Sequence, residues 1–139
     1  MYEFSVLLVD DEKEFLDTLL KRLQKRKIKA TGVGSGEEAL KILEESPTDL
    51  VVLDVRMQGM DGIKTLREIK KIRPLVEVIM LTGHANVEVA VEGMEVGAFD
   101  YLMKPTDVDE LLYKLEDAYK RKKIQEQKIK RLEDEKHTE

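Results

Sequence analysis

The run LVVLD, Leu50 to Asp54, is four apolar residues without polar alternation that end on a carboxylate. A strand that is apolar at every position is covered on both faces, as in the interior of a parallel α/β sheet. VLLV (6–9) followed by Asp10 and Asp11, EVIML (77–81) followed by Thr82, and DYLM (100–103) followed by Lys104 repeat the arrangement. Ligands bind outside the carboxyl ends of such strands, so three carboxylates, a hydroxyl and an ammonium are expected on one rim. That set suits a divalent cation and a phosphoryl group.

The segments between these runs carry helical spacing. Strands are expected at Ser5–Val9, Lys29–Gly32, Leu50–Leu53, Val76–Leu81 and Asp100–Leu102, with the polar second strand at an edge. Phe15, Leu16, Leu19, Leu20 and Leu23 form the stripe of a first helix. Ser35 caps a second that buries Ala39, Leu40 and Leu43 and ends at Pro47. Ile63, Leu66, Ile69 and Ile72 mark a third, and Val87, Val91 and Met94 a fourth that stops near Gly97. Thr106 or Asp107 caps a last helix carrying Val108, Leu111, Leu112, Leu115, Ala118 and Tyr119.

Length and composition narrow the classes. The 139 residues fit one domain, expected over residues 1–119, with 120–139 a charged helical extension or linker. The absence of cysteine excludes disulfides, thiolate catalysis and cysteine–zinc sites, and two histidines leave any metal to oxygen ligands. No apolar stretch approaches the roughly 18 residues of a membrane span, and the start lacks a basic leader, so the expectation is a cytoplasmic protein without membrane contact. From Lys120 to Glu139 eight basic residues face five acidic ones, against sixteen and twenty-four before them. With acids interspersed and no stacking aromatics, the tail reads as a solvated helix face rather than a nucleic-acid binder. Ile124, Ile129 and Leu132 give only a sparse coiled-coil seam.

VLLVDDE, LVVLDVRMQGMDG, VIMLTGH and GAFDYLMKP resemble, in order and spacing, the signature segments of the receiver domain of bacterial two-component response regulators. TGHANVEVAVEGMEVGAFDYLMKP is most similar to receivers that precede ATPase or helix-turn-helix outputs in nitrogen-regulatory, transcription-regulating proteins. The resemblance covers about Phe4 to Tyr119. It implies a flavodoxin-like fold: a five-stranded parallel sheet in the order 2-1-3-4-5 with five helices, the last extended.

It also implies roles for the strand-end residues. Asp54 resembles the phosphoacceptor, since a carboxylate can take a phosphoryl group as an aspartyl phosphate. Asp10 and Asp11 resemble the acid pair that holds Mg²⁺, or Mn²⁺, together with Asp54 and the main-chain carbonyl of Arg56. Capping of the first helix by Asp11 is compatible with that role. Lys104 is expected on the phosphoryl oxygens, with the bond to Pro105 cis, and Thr82 is expected to donate its hydroxyl to the arriving group. Tyr101 resembles the switch aromatic that couples this pocket to a partner or dimer surface spanning Ala85 to Leu115.

Gln58 departs from the proline common after this motif, and His84 flanks the pocket or faces solvent. The expected partners are a sensor histidine kinase, an output domain in a longer chain, and a second copy in a homodimer. Turnover of a free substrate is not expected. A haloacid-dehalogenase-like phosphatase is the enzyme alternative, but its DxDx(T/V) motif is replaced by DDEKE after the first strand. A degenerate receiver acting as a phosphorylation-independent interaction module is the other.

Overall fold

A computed structural model describes residues 2–56, 61–83 and 87–137. Among them β1 (Ser5–Val9), α1 (Lys13–Lys25), β2 (Lys29–Val33), α2 (Gly36–Glu45), β3 (Leu50–Asp54), α3 (Gly62–Ile72), β4 (Glu77–Thr82), α4 (Val87–Val96), β5 (Asp100–Met103) and α5 (Val108–His137) alternate along the chain. The strands form one parallel sheet in the order β2-β1-β3-β4-β5, the flavodoxin-like order the resemblance implied.

The unbroken apolar runs divide their side chains between two cores because successive strand residues point to opposite faces. Val6, Leu8, Leu50, Val52, Ile79 and Leu81 pack with Leu16, Leu19 and Leu23 of α1 and Leu111, Leu112 and Leu115 of α5. Leu7, Val9, Val51, Leu53, Val78 and Met80 face Ala39 and Leu43 of α2 and Leu66 and Ile69 of α3. Burying a Leu, Ile or Val side chain contributes about 1.5–3 kcal/mol, so each central strand is held from both sides. The polar β2 lies at an edge, as expected.

The helix starts follow local chemistry. Ser35 accepts from the Glu38 N–H, and Asp61 accepts from the Lys64 N–H at 2.8 Å. Of the two candidates before α5, Asp107 does the capping, accepting from the Asp109 N–H at 3.0 Å. The cap position of α1 is Glu12, which makes no side-chain cap bond.

Two expectations about helix surfaces change. Val87, Val91 and Met94 do mark α4, but they are 67, 54 and 39 % exposed, and Ala90 and Gly93 form its buried side. A Cβ on Gly93 would meet the end of the Met80 side chain, so the small Ala90–Gly93 side sits against the sheet while the larger apolar residues face outward. The charged tail is not a solvated face throughout, because α5 continues unbroken past Tyr119 and its next turns reach the amino ends of the strands. Lys122 Nζ lies 3.1 Å from Asp49 Oδ1, and Arg121 Nε lies 3.2 Å from Glu77 Oε2.

Candidate functional site

The carboxyl rim gathers its residues by strand register. Val9 pairs with Leu53 across β1 and β3, so Asp10 and Asp54 leave neighbouring strands side by side. Asp10 is 3 % and Asp54 4 % exposed, so their carboxylates need donors from the protein. The main chain supplies them locally. The Glu12 N–H donates to Asp10 Oδ1 at 2.9 Å, and the Arg56 N–H donates to Asp54 Oδ1 at 3.0 Å. Each carboxylate is thereby fixed with its second oxygen free to face the other.

Gly62 sets how closely α3 approaches this rim. A Cβ there would overlap Val55 Cα and lie 2.8 Å from the Asp54 carbonyl oxygen, so a larger residue would push the helix away from β3.

Lys104 arrives from the end of β5, and the Lys104–Pro105 bond is cis. Its Nζ stands 2.8 Å from Asp10 Oδ2, 3.1 Å from Glu12 Oε1 and 3.5 Å from Asp54 Oδ2, with the Phe15 ring centroid at 4.4 Å. Burial lowers the lysine pKa, but hydrogen bonds to Asp10 and Glu12 and the charges of Asp10 and Asp54 outweigh it, so the ammonium titrates above its ordinary value. Asp54 moves the other way for a carboxylate. Desolvation, with the Asp10 charge adding to it, overcomes the Arg56 N–H and Lys104 and pushes the group up to about 6.

Three carboxylates therefore face one ammonium. Asp10, Glu12 and Asp54 each offer an oxygen within 4.8 Å of the others, and the buried Asp10 Oδ2 has Lys104 Nζ at 2.8 Å. A hard divalent cation with oxygen preference fits this donor set, because it neutralises the negative charge that one ammonium cannot balance.

The other expected residues fall into place unevenly. Thr82, 3 % exposed, follows the β4 residue that pairs with Asp54, and its hydroxyl donates to the Leu102 carbonyl at 3.5 Å. Tyr101 is 43 % exposed and lines a shallow groove with Val87, Ala90, Val91 and Met94. Asp11 is exposed and does not belong to the acid cluster, whereas Glu12 does. Asp10 and Glu12, the first and third acids of DDE, are thus the two that converge with Asp54. Gln58, His84 and Ala85 lie outside the described residues.

The sequence model of the response regulator receiver domain matches residues 6–116. The chain is 42 % identical over 114 residues to the transcriptional regulatory protein ZraR of Escherichia coli, covering 82 % of this chain and 26 % of that protein. It is 36 % identical over 131 residues to the putative response regulator NtrX-like of Rickettsia felis, covering 93 % and 28 %. It thus spans about a quarter of the length of these relatives. The crystal structure of the receiver domain of NtrX from Brucella abortus superposes with a TM-score of 0.80 at 34 % identity, covering 84 % of this chain and 98 % of that one. With the sheet order, the acid-rich rim and this match over most of its length, the chain belongs to the response regulator receiver domain family of two-component signalling.

Proposed function

We propose that the chain is a phosphorylation-dependent switch in which Asp54 accepts a phosphoryl group from a sensor histidine kinase. One Asp54 oxygen attacks phosphorus in line, the bond from phosphorus to the donor nitrogen or oxygen breaks, and the leaving group departs with the electron pair. The observation that carries the reading is the convergence of Asp10, Asp54 and Lys104 within 3.5 Å on a buried, acid-surplus rim. Mg²⁺, or Mn²⁺, would be held by Asp10, Asp11, Asp54 and the Arg56 carbonyl, with Glu12 beside them. When bound it supplies charge neutralisation and a grip on phosphoryl oxygen.

Switching uses residues already at the rim. A phosphoryl group adds about −1.5 to −2 charges, giving Lys104 and the Thr82 hydroxyl a stronger acceptor than they now have. As Thr82 turns from the Leu102 carbonyl toward Asp54, space opens on the β5 side for Tyr101. Tyr101 is continuous with the exposed apolar face of α4, so the change reaches a surface that an output domain, a partner or a second copy can read. The expected setting is the cytoplasm, with the receiver over residues 1–119 and the α5 extension from 120 leading to an output domain that controls transcription. No turnover of free substrate is proposed beyond formation and loss of the aspartyl phosphate.

Incubation with acetyl phosphate and Mg²⁺, read by intact mass, tests this. One phosphoryl adduct in the wild type and none in Asp54→Ala is the expected result. An unmodified wild type, or a fully modified Asp54→Ala, overturns it and leaves the phosphorylation-independent interaction module.

A further inference from the structure

Two of the four groups around Lys104 Nζ come from neither the acid pair nor the phosphoacceptor. Glu12, at the cap position of α1, and Phe15, three residues on, lie on the same side of the first turn because residues three apart are neighbours on a helix. The Glu12 N–H bond to Asp10 turns the chain so that the Glu12 carboxylate lies over the rim. The ammonium leans toward this side. Beyond its closest contact, Asp10 Oδ2 at 2.8 Å, it lies nearer to Glu12, 3.1 Å away with hydrogen-bond geometry, than to Asp54 Oδ2 at 3.5 Å. The Phe15 ring face, with its centroid 4.4 Å from Nζ, closes the fourth side.

We propose that Glu12 and Phe15 are positioning residues for Lys104: Glu12 holds the ammonium back from Asp54 as a brake on phosphoryl transfer, and Phe15 keeps it from leaving the rim. The proposal rests on the receiver reading. With the cation held by Asp10, Asp11, Asp54 and the Arg56 carbonyl as proposed above, Glu12 stands beside it rather than on it and is the anion that still competes for the lysine. In the same Asp54-to-phosphorus step, the ammonium must give up Glu12 to reach the oxygens where charge develops. The ring lets it slide without exposing it, because a cation over an aromatic face is attracted at little directional cost.

Glu12→Gln and Glu12→Asp separate position from charge, since Asp keeps the charge but falls one methylene short. At saturating Mg²⁺ and acetyl phosphate both are expected to modify Asp54 about two- to fivefold faster than the wild type, the range of one partly exposed ion pair. Mg²⁺ affinity, by calorimetry, should weaken in Glu12→Gln and hold within about twofold in Glu12→Asp, because it follows charge rather than reach. Phe15→Leu, which keeps the apolar volume, should slow the reaction about two- to fivefold.

A Glu12→Asp rate equal to wild type, or slower rates in both Glu12 variants, overturns the brake. An unchanged Phe15→Leu rate overturns the role of the ring. In the metal-free protein, NMR contacts between the Lys104 ε-methylene and the Phe15 ring report the cradle without any phosphodonor, and their absence also overturns it. If the wild type takes no phosphoryl group, the receiver reading fails, and those contacts still decide whether the cradle exists.

Discussion

The two ends of the sheet both bury acids, and they treat them in opposite ways. At the carboxyl rim Asp10, Glu12 and Asp54 share one ammonium. At the amino rim Glu77 has Lys70 at 3.3 Å and Arg121 at 3.2 Å, and Asp49 has Lys122 at 3.1 Å. Asp49 also accepts from the Ser5 N–H at 2.9 Å, and Lys70 donates to the Pro74 and Val76 carbonyls. Arg121 lies over the Phe99 ring, and Phe4 packs on Tyr119, so the middle turns of α5 are stapled to the strand starts. The amino rim is balanced and the carboxyl rim carries surplus negative charge. Burial alone therefore does not mark a site; burial with unneutralised charge does, because the fold bears its cost and a ligand can relieve it.

The sharpest way to break the comparison is to remove one cation from each end. Lys104→Ala should slow acetyl phosphate modification of Asp54 by about 10²–10³-fold, since it deletes a donor aimed at developing charge. The same assay on Lys122→Ala should give a rate within about twofold of wild type, because that lysine lies at the other end of the sheet. A comparable loss in both would erase the distinction.

Removing one carboxylate from each end should change stability with opposite signs. The Asp54 pKa is raised, to about 6 from 3.8, so the native state binds the proton more tightly than the unfolded chain does. Stability from that group is present below about pH 4 and is lost as pH rises through 6. Without metal, Asp54→Asn should therefore be about 2–3 kcal/mol more stable than wild type above pH 6, the gap closing as pH falls toward 4. Urea unfolding at several pH values measures it, and a pH-independent gap would contradict the raised pKa. Glu77→Gln should destabilise by about 2 kcal/mol at neutral pH, because it leaves Arg121 without its anion and Lys70 with carbonyls alone.

Smaller effects sharpen the picture of the amino rim. Lys122→Ala should cost about 1 kcal/mol, more than an ordinary surface lysine, because its side chain is only 11 % exposed. Lys27 closes α1 with φ 65° while its N–H and that of Ile28 donate to the Gln24 and Leu23 carbonyls. Lys27→Gly, which adopts that backbone freely, should stabilise by about 0.5–1 kcal/mol in thermal unfolding.

Much of the molecule was legible in the chain. Apolar runs without alternation identified the covered strands, the polar Lys29–Val33 run identified an edge, and Ser35 announced its helix. Asp10, Asp54 and Lys104 stood where strands end, so the rim could be anticipated before any register was known. Three features were not legible. Glu12 joins the acid cluster because of how the chain turns out of β1, a matter of backbone direction rather than residue type. Val87, Val91 and Met94 have core-like spacing and yet face outward, because Gly93 and Met80 settle which side of α4 approaches the sheet. Arg121 and Lys122 read as solvated charges until Asp49 and Glu77, 73 and 44 residues earlier, appear beneath them.

The sequence by itself determined the element types, the strand ends and the family, because those depend on local periodicity and on residues adjacent in the chain. Only the tertiary structure decided which acids share a cation and which helix face is left exposed. Those outcomes depend on distances between residues far apart in sequence, and charges and apolar surfaces acquire their energies from what lies within a few ångströms once the chain has folded.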